Sequence, residues 1–211
     1  MVKRRPATRP VPLDRQLIGC AASAETVAQL LARGSVGGVA VGRAEAGPRA
    51  LGHRSILADA RSISSREVIN GLIKRREAFR PLAPICLEDE FDKYFVRPAA
   101  RVPLDLMLFA VRCRPECRAI LPAIVHSDGT ARVQVASDPS EFVYGVLTAF
   151  REITGVGVLI NTSFNCPGEP LVDTADHALR SFVRLGLDFV VIGDLLVAAP
   201  SAFDLIPQNT R

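Results

Sequence analysis

The sequence predicts an α/β or α+β domain built around one twisted sheet, because strand-like and helix-like segments alternate along its 211 residues. Hydrophobic residues make up 48% of the chain, which is enough for a packed core. Short apolar runs typical of buried strands are separated by segments whose apolar residues recur at helical spacing. No run approaches the roughly 20 apolar residues that a membrane span requires, and we expect a cytoplasmic protein.

The first 18 residues predict a flexible basic leader. Pro6, Pro10 and Pro12 lie among lysines and arginines there, and this composition favours no fold. We therefore place the folded domain at residues 19–211.

The first half of the domain predicts two helices and a strand. From Ser23, ETVAQLLARG has helical spacing and stops at Gly34, and GGVAVG follows as a short buried strand. SSREVINGLIKRREAF predicts a second helix, which Ser64 and Glu67 would cap, with Lys74, Arg75 and Arg76 in its last turn.

The second half predicts further strands and helices. The expected elements, in order, are a strand from Leu104 to Val111, a strand ARVQVA, a helix entered at Pro139 and stopped by Gly155, a strand VGVLIN, a helix opened by Thr174, and one or two strands in LDFVVIGDLLVAA. In ARVQVA, Arg132 and Gln134 alternate with valines, so both should point away from the core.

Positive charge is concentrated in one internal block. Residues 43–80 carry nine lysines or arginines against four acidic residues, although the whole chain has a net charge of only +4. A basic leader and a basic internal block in an otherwise acidic chain favour a focused anion site over a nucleic-acid surface, which usually spreads its charge over a whole face.

Two basic segments predict phosphate binding. GRAEAGPRALGHRSIL, residues 42–57, sets Arg49 and Arg54 among glycines, and guanidinium groups match phosphate oxygens where glycines let a ligand approach closely. It fits neither a Walker A motif nor a dinucleotide fingerprint. In KRREAFRP, Arg76 and Arg80 would face the same way on a helix and repel each other unless an anion lies between them. A solvated loop and helix-terminal cations remain the alternative interpretation.

Two polar segments complete the motifs. VLINTSFNCPGEPLV is a strand that ends in small polar residues, where Ser163 and Asn165 can reach one ligand, although such residues are also ordinary turn formers. HSDGTARVQ sets Arg132 just after a turn. Cys166 has no histidine near it in sequence, and packing is the default interpretation of the five cysteines.

Together these four segments, in this order, resemble the C-terminal, YrdC-like domain of the NodU/CmcH-type O-carbamoyltransferases, from about Ala22 to Ala198. The resemblance implies a YrdC-like twisted mixed sheet with flanking helices. It also implies that this domain activates the carbamoyl donor: carbamoyl phosphate is cleaved, and the carbamate attacks the α-phosphate of ATP to give carbamoyl-adenylate and pyrophosphate. Mg²⁺ would accompany ATP, held mainly by phosphate oxygens.

The resemblance also implies the site. Lys74 and Arg76 match a Lys-x-Arg pair, Ser163 and Asn165 match a Ser-x-Asn pair, and Arg49, Arg80 and Arg132 match phosphate-binding arginines. We predict catalytic roles for Lys74, Arg132 and Ser163, and binding of ATP or substrate by Arg49, Arg54, Arg76, Arg80, Asn161 and Asn165. No residue is assigned to a metal.

The family's N-terminal transferase domain carries a histidine motif that this sequence does not contain, since His53, His126 and His177 are scattered. Either a separate protein supplies that half or this chain is an excised fragment, and we expect a separate transferase protein or an oligomer as the partner. Two other hypotheses remain open: an accessory subunit that binds nucleotide or carbamoyl phosphate without turnover, and an RNA-binding surface. The RNA-binding hypothesis is disfavoured because the chain has no Trp and only two tyrosines, Tyr94 and Tyr144, on which bases could stack.

Overall fold

A computed structural model of the chain describes residues 17–206. Its ten strands are β1 (Ile18–Ala21), β2 (Gly37–Ala40), β3 (Arg54–Asp59), β4 (Ala83–Leu87), β5 (Ala110–Arg112), β6 (Thr130–Arg132), β7 (Gln134–Ala136), β8 (Val158–Ser163), β9 (Phe189–Ile192) and β10 (Leu195–Ala198). The helices are α1 (Ala24–Ala32), α2 (Ile63–Glu67), α3 (Glu88–Tyr94), α4 (Pro115–Ile120), α5 (Phe142–Thr154), α6 (Ala175–Leu185) and α7 (Pro200–Phe203). A π-helical turn, Val68–Ile73, continues α2.

The main sheet is mixed. Its strand order is β1-β10-β9-β2-β3-β8-β4-β7, and β2–β9 and β4–β7 are its parallel pairs. Strands β5 and β6 form a separate two-stranded sheet. The predicted mixed sheet with flanking helices is confirmed.

Helices cover both faces of the sheet, which is why the central strands read as continuous apolar runs. In β3, Ile56 packs into the core on the side of α3, α4 and α6, whereas its neighbour Leu57 packs against α1 and α5. In β8, Ile160 and Leu159 divide in the same way. The sheet is therefore fixed on both sides, and β8 ends where the small polar residues begin.

Several predicted boundaries are confirmed by side-chain or backbone caps. The Ser23 hydroxyl accepts a hydrogen bond from the backbone N–H of Thr26, and Thr174 accepts one from His177. Gly155 ends α5 in the left-handed conformation that glycine adopts without steric cost. The final segment forms two strands, β9 and β10.

The helix predicted over residues 64–79 forms only as far as Ile73, and its predicted C-terminal end is wrong. α2 ends at Glu67 and the π-helical turn ends at Ile73, so the basic residues follow the helix instead of forming its last turn. The predicted cap does not form, because Ser62 is the N-cap and makes no side-chain cap hydrogen bond. The backbone N–H of Lys74 donates to Ile69 O (2.7 Å), one residue beyond the α-helical pattern, and Arg75 then takes a positive φ of 47°.

Three other predicted elements also differ. Of the strand expected over 104–111, only Ala110 and Val111 are extended, as the start of β5, because residues 104–107 form a turn in which Met107 has a φ of 53°. The expected strand ARVQVA is divided: β6 pairs with β5, whereas β7 pairs with β4. α5 begins at Phe142 and not at Pro139, because the Asp138 carboxylate turns the chain by accepting from the backbone and hydroxyl of Ser140.

The predicted leader falls mostly outside the described residues, which begin at Leu17. Ile18, its last residue, already belongs to β1 and pairs with Ala198. No helix in the described part of the chain is long and apolar enough to cross a membrane.

Candidate functional site

The centre of the site is a contact between Lys74 and the end of β8. The Lys74 ammonium donates to Ser163 O (2.6 Å), Ser163 Oγ (3.2 Å), Asn165 O (3.1 Å) and Asn165 Oδ1 (2.8 Å). The Ser163 hydroxyl donates to Asn165 Oδ1 (2.7 Å), and the Asn165 amide donates to Glu169 O (2.6 Å). The structure thus brings Lys74, of the predicted Lys-x-Arg pair, into contact with both members of the predicted Ser-x-Asn pair. The side-chain oxygens of Ser163 and Asn165 accept from Lys74.

Lys74 is only 8% exposed. Burial, and after it the positive charge of Arg76, lower the pKa of its ammonium to about 8, while Cys166 opposes the shift. Its three N–H groups already serve four protein oxygens, so the protein itself solvates the charge. Lys74 therefore holds the strand end and adds positive potential to the site.

Arg76 lies beside Lys74, and three further arginines lie close to Arg76 or to one another. Arg49, Arg76 and Arg132 are half-buried. Burial lowers the pKa of the Arg132 guanidinium, and the charges of Arg49 and Arg76 lower it further. The pKa of Arg76 is lowered by burial and then by Arg80, with Glu77 opposing. We call Lys74, Arg49, Arg76, Arg80 and Arg132 the cationic cluster.

Most of the cationic cluster has no counter-ion among the described residues. Among residues 17–206, the ion pair that involves the cluster joins Arg80 to Glu77 at 3.8 Å, with both side chains more than half exposed. The Nε atoms of Arg49 and Arg132 are buried and have no hydrogen-bond partner among the described residues. Like charges held together without partners cost free energy, and an anion with several oxygens would remove that cost.

Arg76 is aimed by Asn70, which sequence reasoning missed. Arg76 Nε donates to Asn70 Oδ1 (2.8 Å), and the Asn70 amide donates to Arg80 O (2.8 Å) and Ala78 O (3.3 Å). Asn70 is fully buried. The available signal in the sequence is Asn70, a polar residue followed by Gly71 inside an otherwise apolar helical stretch.

The floor of the site is a pair of buried amides. Asn161 Nδ2 donates to Ala50 O (3.0 Å) and to Gln134 Oε1 (2.7 Å), and Gln134 Nε2 donates to Leu51 O (2.7 Å). Gln134 is 4% exposed, so the prediction that it points away from the core is wrong. The physical reason is that helices and loops cover both faces of the sheet, and an alternating strand then has no solvent side. Arg132 is half-buried and points into the cluster.

The glycine-rich loop before β3 is shaped by a carboxylate. Glu45 Oε1 accepts from the backbone N–H groups of Leu51 (2.7 Å), His53 (2.9 Å) and Arg54 (3.0 Å). Arg54 is 6% exposed, and its terminal nitrogens donate to the carbonyls of Val41, Gly42 and His53. Arg54 therefore stabilises the loop that contains Arg49. The binding of Arg54 to a substrate stays a prediction.

Two open grooves are lined by segments that adjoin the site in sequence or in the amide floor. One, of about 710 Å³, is lined by Phe79 and Pro81 on either side of Arg80 and by the turn of His126 and Asp128. The other, of about 640 Å³, is lined by Gln134 and Leu51 from the amide floor and by the glycine-rich loop. The described residues contain no group of three His, Cys, Asp or Glu that could hold a metal ion.

Known proteins resemble this chain in sequence. The family described as "Carbamoyltransferase C-terminus" matches residues 28–199. The nodulation protein NolNO of Sinorhizobium fredii is 42% identical over 87% of this chain and 27% of its own length, and NolO of Bradyrhizobium diazoefficiens is 42% identical over 82% and 32%. Nodulation protein U of Rhizobium tropici is 48% identical over 60% of this chain and 22% of its own length. This chain thus spans about a third or less of these relatives.

Solved structures show the same fold. Full-length HypF in a phosphate- and nucleotide-bound form matches 82% of this chain and 25% of its own length, with a TM-score of 0.60 and 17% identity. YciO of E. coli matches 81% of this chain and 77% of its own length, with a TM-score of 0.55 and 13% identity. These likenesses confirm the predicted YrdC-like fold. The family match and the nodulation relatives confirm the family predicted from the four motifs, and this chain belongs to the carbamoyltransferase C-terminus family.

Proposed function

We propose that this domain activates the carbamoyl donor by forming carbamoyl-adenylate from carbamoyl phosphate and ATP. The observation that carries the proposal is the cationic cluster. In it Arg76 lies beside Lys74, Arg132 lies close to Arg49 and Arg76, and none of the four has a carboxylate partner in the described part of the chain. Both substrates are phosphate anions, and bringing two of them together requires concentrated positive charge above all.

The reaction has two steps. Water cleaves carbamoyl phosphate to carbamate and inorganic phosphate. A carbamate oxygen then attacks the α-phosphorus of ATP, the bond from that phosphorus to the β-bridging oxygen breaks, and pyrophosphate leaves with the electron pair. Neither step requires a protein nucleophile, which agrees with a site rich in arginine in which Cys166 is buried. The arginines would position the phosphates and neutralise their charge.

The fold supports nucleotide binding, since the HypF structure that shares it is described as phosphate- and nucleotide-bound. Mg²⁺ stays a proposal: the described residues form no three-ligand group, so the ion would reach the site on ATP phosphate oxygens, and we derive no step from it. The chain spans about a third or less of its nodulation relatives. We also propose that a separate transferase or an oligomer acts with this domain, in natural-product biosynthesis such as that of antibiotics.

A second candidate is an accessory subunit that binds the anions without turnover. The observation that favours it is the saturation of Lys74, whose N–H donors are all engaged by Ser163 and Asn165. A ligand oxygen would have to share or displace one of these bonds.

Pyrophosphate release separates the two candidates. The purified chain is supplied with ATP, Mg²⁺ and carbamoyl phosphate, together or with one omitted, and is compared with Lys74→Ala and Arg132→Ala. Release that needs all components and is lost in both variants supports donor activation. The matched control is Arg180→Ala, which removes an exposed arginine of α6 that pairs with Asp176 and should leave release unchanged. Binding of ATP without release selects the accessory subunit.

A further inference from the structure

Two of the five cysteines lie in contact, away from the chemistry proposed above. The Cys117 thiol donates a hydrogen bond to the sulfur of Cys113. Both are free thiols, and they differ in exposure: Cys117 is 0% exposed, whereas Cys113 is only partly buried. The pair therefore combines one thiol that solvent can reach with one that it cannot.

The backbone holds the two thiols in place. Cys113 follows β5, where its N–H donates to Gly129 O (2.9 Å) and its other side forms a bridge to Phe95. Cys117 lies in the first turn of α4, where its N–H donates to Arg114 O (3.1 Å). Pro115 begins α4 and restricts the backbone between the two cysteines. The contact between the sulfurs is therefore fixed by the fold.

The two thiols also differ in acidity. The hydrogen bond from Cys117 lowers the pKa of the Cys113 thiol; burial opposes this, the charge of Arg118 lowers it further, and Asp128 opposes it. The same hydrogen bond and burial raise the pKa of the Cys117 thiol. Because the thiolate is the reactive form, Cys113 is the nucleophile of the pair and Cys117 reacts after it.

We propose that Cys113 and Cys117 form a reversible disulfide by exchange with a low-molecular-weight disulfide such as glutathione disulfide. The Cys113 thiolate attacks one glutathione sulfur, the glutathione disulfide bond breaks, and one glutathione thiolate leaves. Cys117 then gives its proton to solvent and attacks Cys113 sulfur, which releases the second glutathione thiolate. The two cysteines lose two electrons in total, and glutathione disulfide gains them.

The other three cysteines do not share this arrangement. Cys86 and Cys166 are buried, and burial raises the pKa of the partly exposed Cys20. A metal site at the pair is disfavoured, because the described residues contain no group of three His, Cys, Asp or Glu that could hold an ion, and structural zinc takes four ligands.

The disulfide would join α4 to the small sheet that carries Arg132. Within that sheet, Arg132 of β6 pairs with Ala110 of β5, three residues before Cys113. Oxidation would therefore add a covalent link beside a segment of the proposed site, while neither sulfur belongs to the cationic cluster.

The test uses the full chain in mixtures of reduced glutathione and glutathione disulfide. Free thiols are then alkylated, and tryptic peptides are weighed by mass spectrometry. Both cysteines fall in one peptide, CRPECR, because trypsin does not cleave between Arg114 and Pro115. We expect this peptide to become lighter by two hydrogen atoms and to escape alkylation as the share of glutathione disulfide rises, and dithiothreitol should reverse the change.

Two variants test the order of attack. Cys117→Ala should stop at a mixed disulfide, with glutathione retained on Cys113 and attached about tenfold faster than on Cys20. Cys113→Ser should leave Cys117 unmodified, since the remaining thiol is buried. If Cys117→Ala does not fold, the initial rates of thiol loss at Cys113 and Cys20 in the wild type give the same comparison.

The matched control is the wild type unfolded in urea. There the preference for Cys113 over Cys20 should disappear, because the contact that lowers the pKa of Cys113 depends on the fold. Full alkylation of CRPECR at every glutathione ratio would overturn the proposal. Equal rates at Cys113 and Cys20 in the folded chain would do the same, and would leave the pair with a packing role alone.

Discussion

Asn70 holds Arg76 by two hydrogen bonds. Its backbone oxygen accepts from Arg76 N (2.9 Å), and its side-chain Oδ1 accepts from Arg76 Nε (2.8 Å). Asn70 belongs to the π-helical turn, whose wider backbone pattern is frequent at functional sites. The turn therefore places the guanidinium of Arg76 in the cationic cluster with its terminal nitrogens facing outward from the Asn70 contact.

Replacing Asn70 should weaken anion binding through Arg76. Asn70→Ala removes the acceptor for Arg76 Nε and leaves the carbonyls of Ala78 and Arg80 without their donor. We expect the affinity for carbamoyl phosphate to fall about tenfold and the free energy of unfolding to fall by about 1–3 kcal/mol. Asn70→Asp keeps the acceptor beside Arg76 and should retain more of the affinity than Asn70→Ala. Calorimetry and urea unfolding measure the two effects, and equal affinity losses in both variants would exclude a positioning role.

The π-helical turn also shows where sequence reasoning stops. VINGLI has helical apolar spacing, and local propensity gives no reason to break the helix at Ile73. The break depends on hydrogen bonds from Asn70 to carbonyls eight and ten residues later, which are tertiary contacts. The motif residues Lys74, Ser163 and Asn165 could be predicted because they lie in recognisable segments. The contacts among them could not, because Lys74 and Ser163 are 89 residues apart.

Gln134 illustrates the second limit. Alternation of polar and apolar residues predicts a solvent face only when one side of the sheet is open. Here β7 is buried on every residue, and the amide of Gln134 is satisfied by Leu51 and Asn161. The pattern correctly predicts extended backbone, but its polar residue, Gln134, belongs to the floor of the site.

The cationic cluster should destabilise the fold that it serves. Arg132→Met removes a half-buried charge that burial and the charges of Arg49 and Arg76 disfavour. We expect a free energy of unfolding equal to or about 0.5–1 kcal/mol higher than that of the wild type, together with a loss of anion affinity of tenfold or more. Thermal unfolding measures the change in stability, and calorimetry in low salt measures the change in anion affinity.

Arg180→Met is the control for the effects of Arg132→Met on stability and anion affinity. Arg180 is exposed and pairs with Asp176 four residues away in α6, so its removal should change stability by less than about 0.5 kcal/mol and leave anion affinity intact. Destabilisation by Arg132→Met greater than about 1 kcal/mol would indicate that Arg132 is a structural residue.

The loop that presents Arg49 depends on Gly52. This residue has a φ of 112°, and a Cβ atom there would lie 2.7 Å from Val143 Cγ1 in α5. Gly52→Ala should therefore lower the free energy of unfolding by about 1–3 kcal/mol and weaken anion binding through the displaced loop. Gly71→Ala is the matched control, because its Cβ would meet nothing within 4 Å. Urea unfolding of both variants provides the measurement, and equal stabilities would contradict the proposed strain.

The pKa of Lys74 predicts a pH limit for anion binding. Burial and Arg76 lower the pKa of its ammonium from 10.5 to about 8, so the charge is present at pH 7 and is lost as the pH rises through 8. A bound anion favours the charged form and raises the pKa in the complex. Affinity for carbamoyl phosphate should thus be constant below pH 8 and fall by up to about tenfold per pH unit above it.

A comparison with Lys74→Arg tests the origin of this limit. The guanidinium stays charged, so the variant should show a nearly flat affinity between pH 7 and pH 9, even if its affinity at pH 7 is lower. Stability should change in the opposite sense to binding: the wild type keeps a disfavoured ammonium below pH 8 and loses that penalty between about 8 and 10.5, so its free energy of unfolding should rise relative to Lys74→Arg in that window. An identical decline of affinity in both proteins would assign the pH dependence to another group.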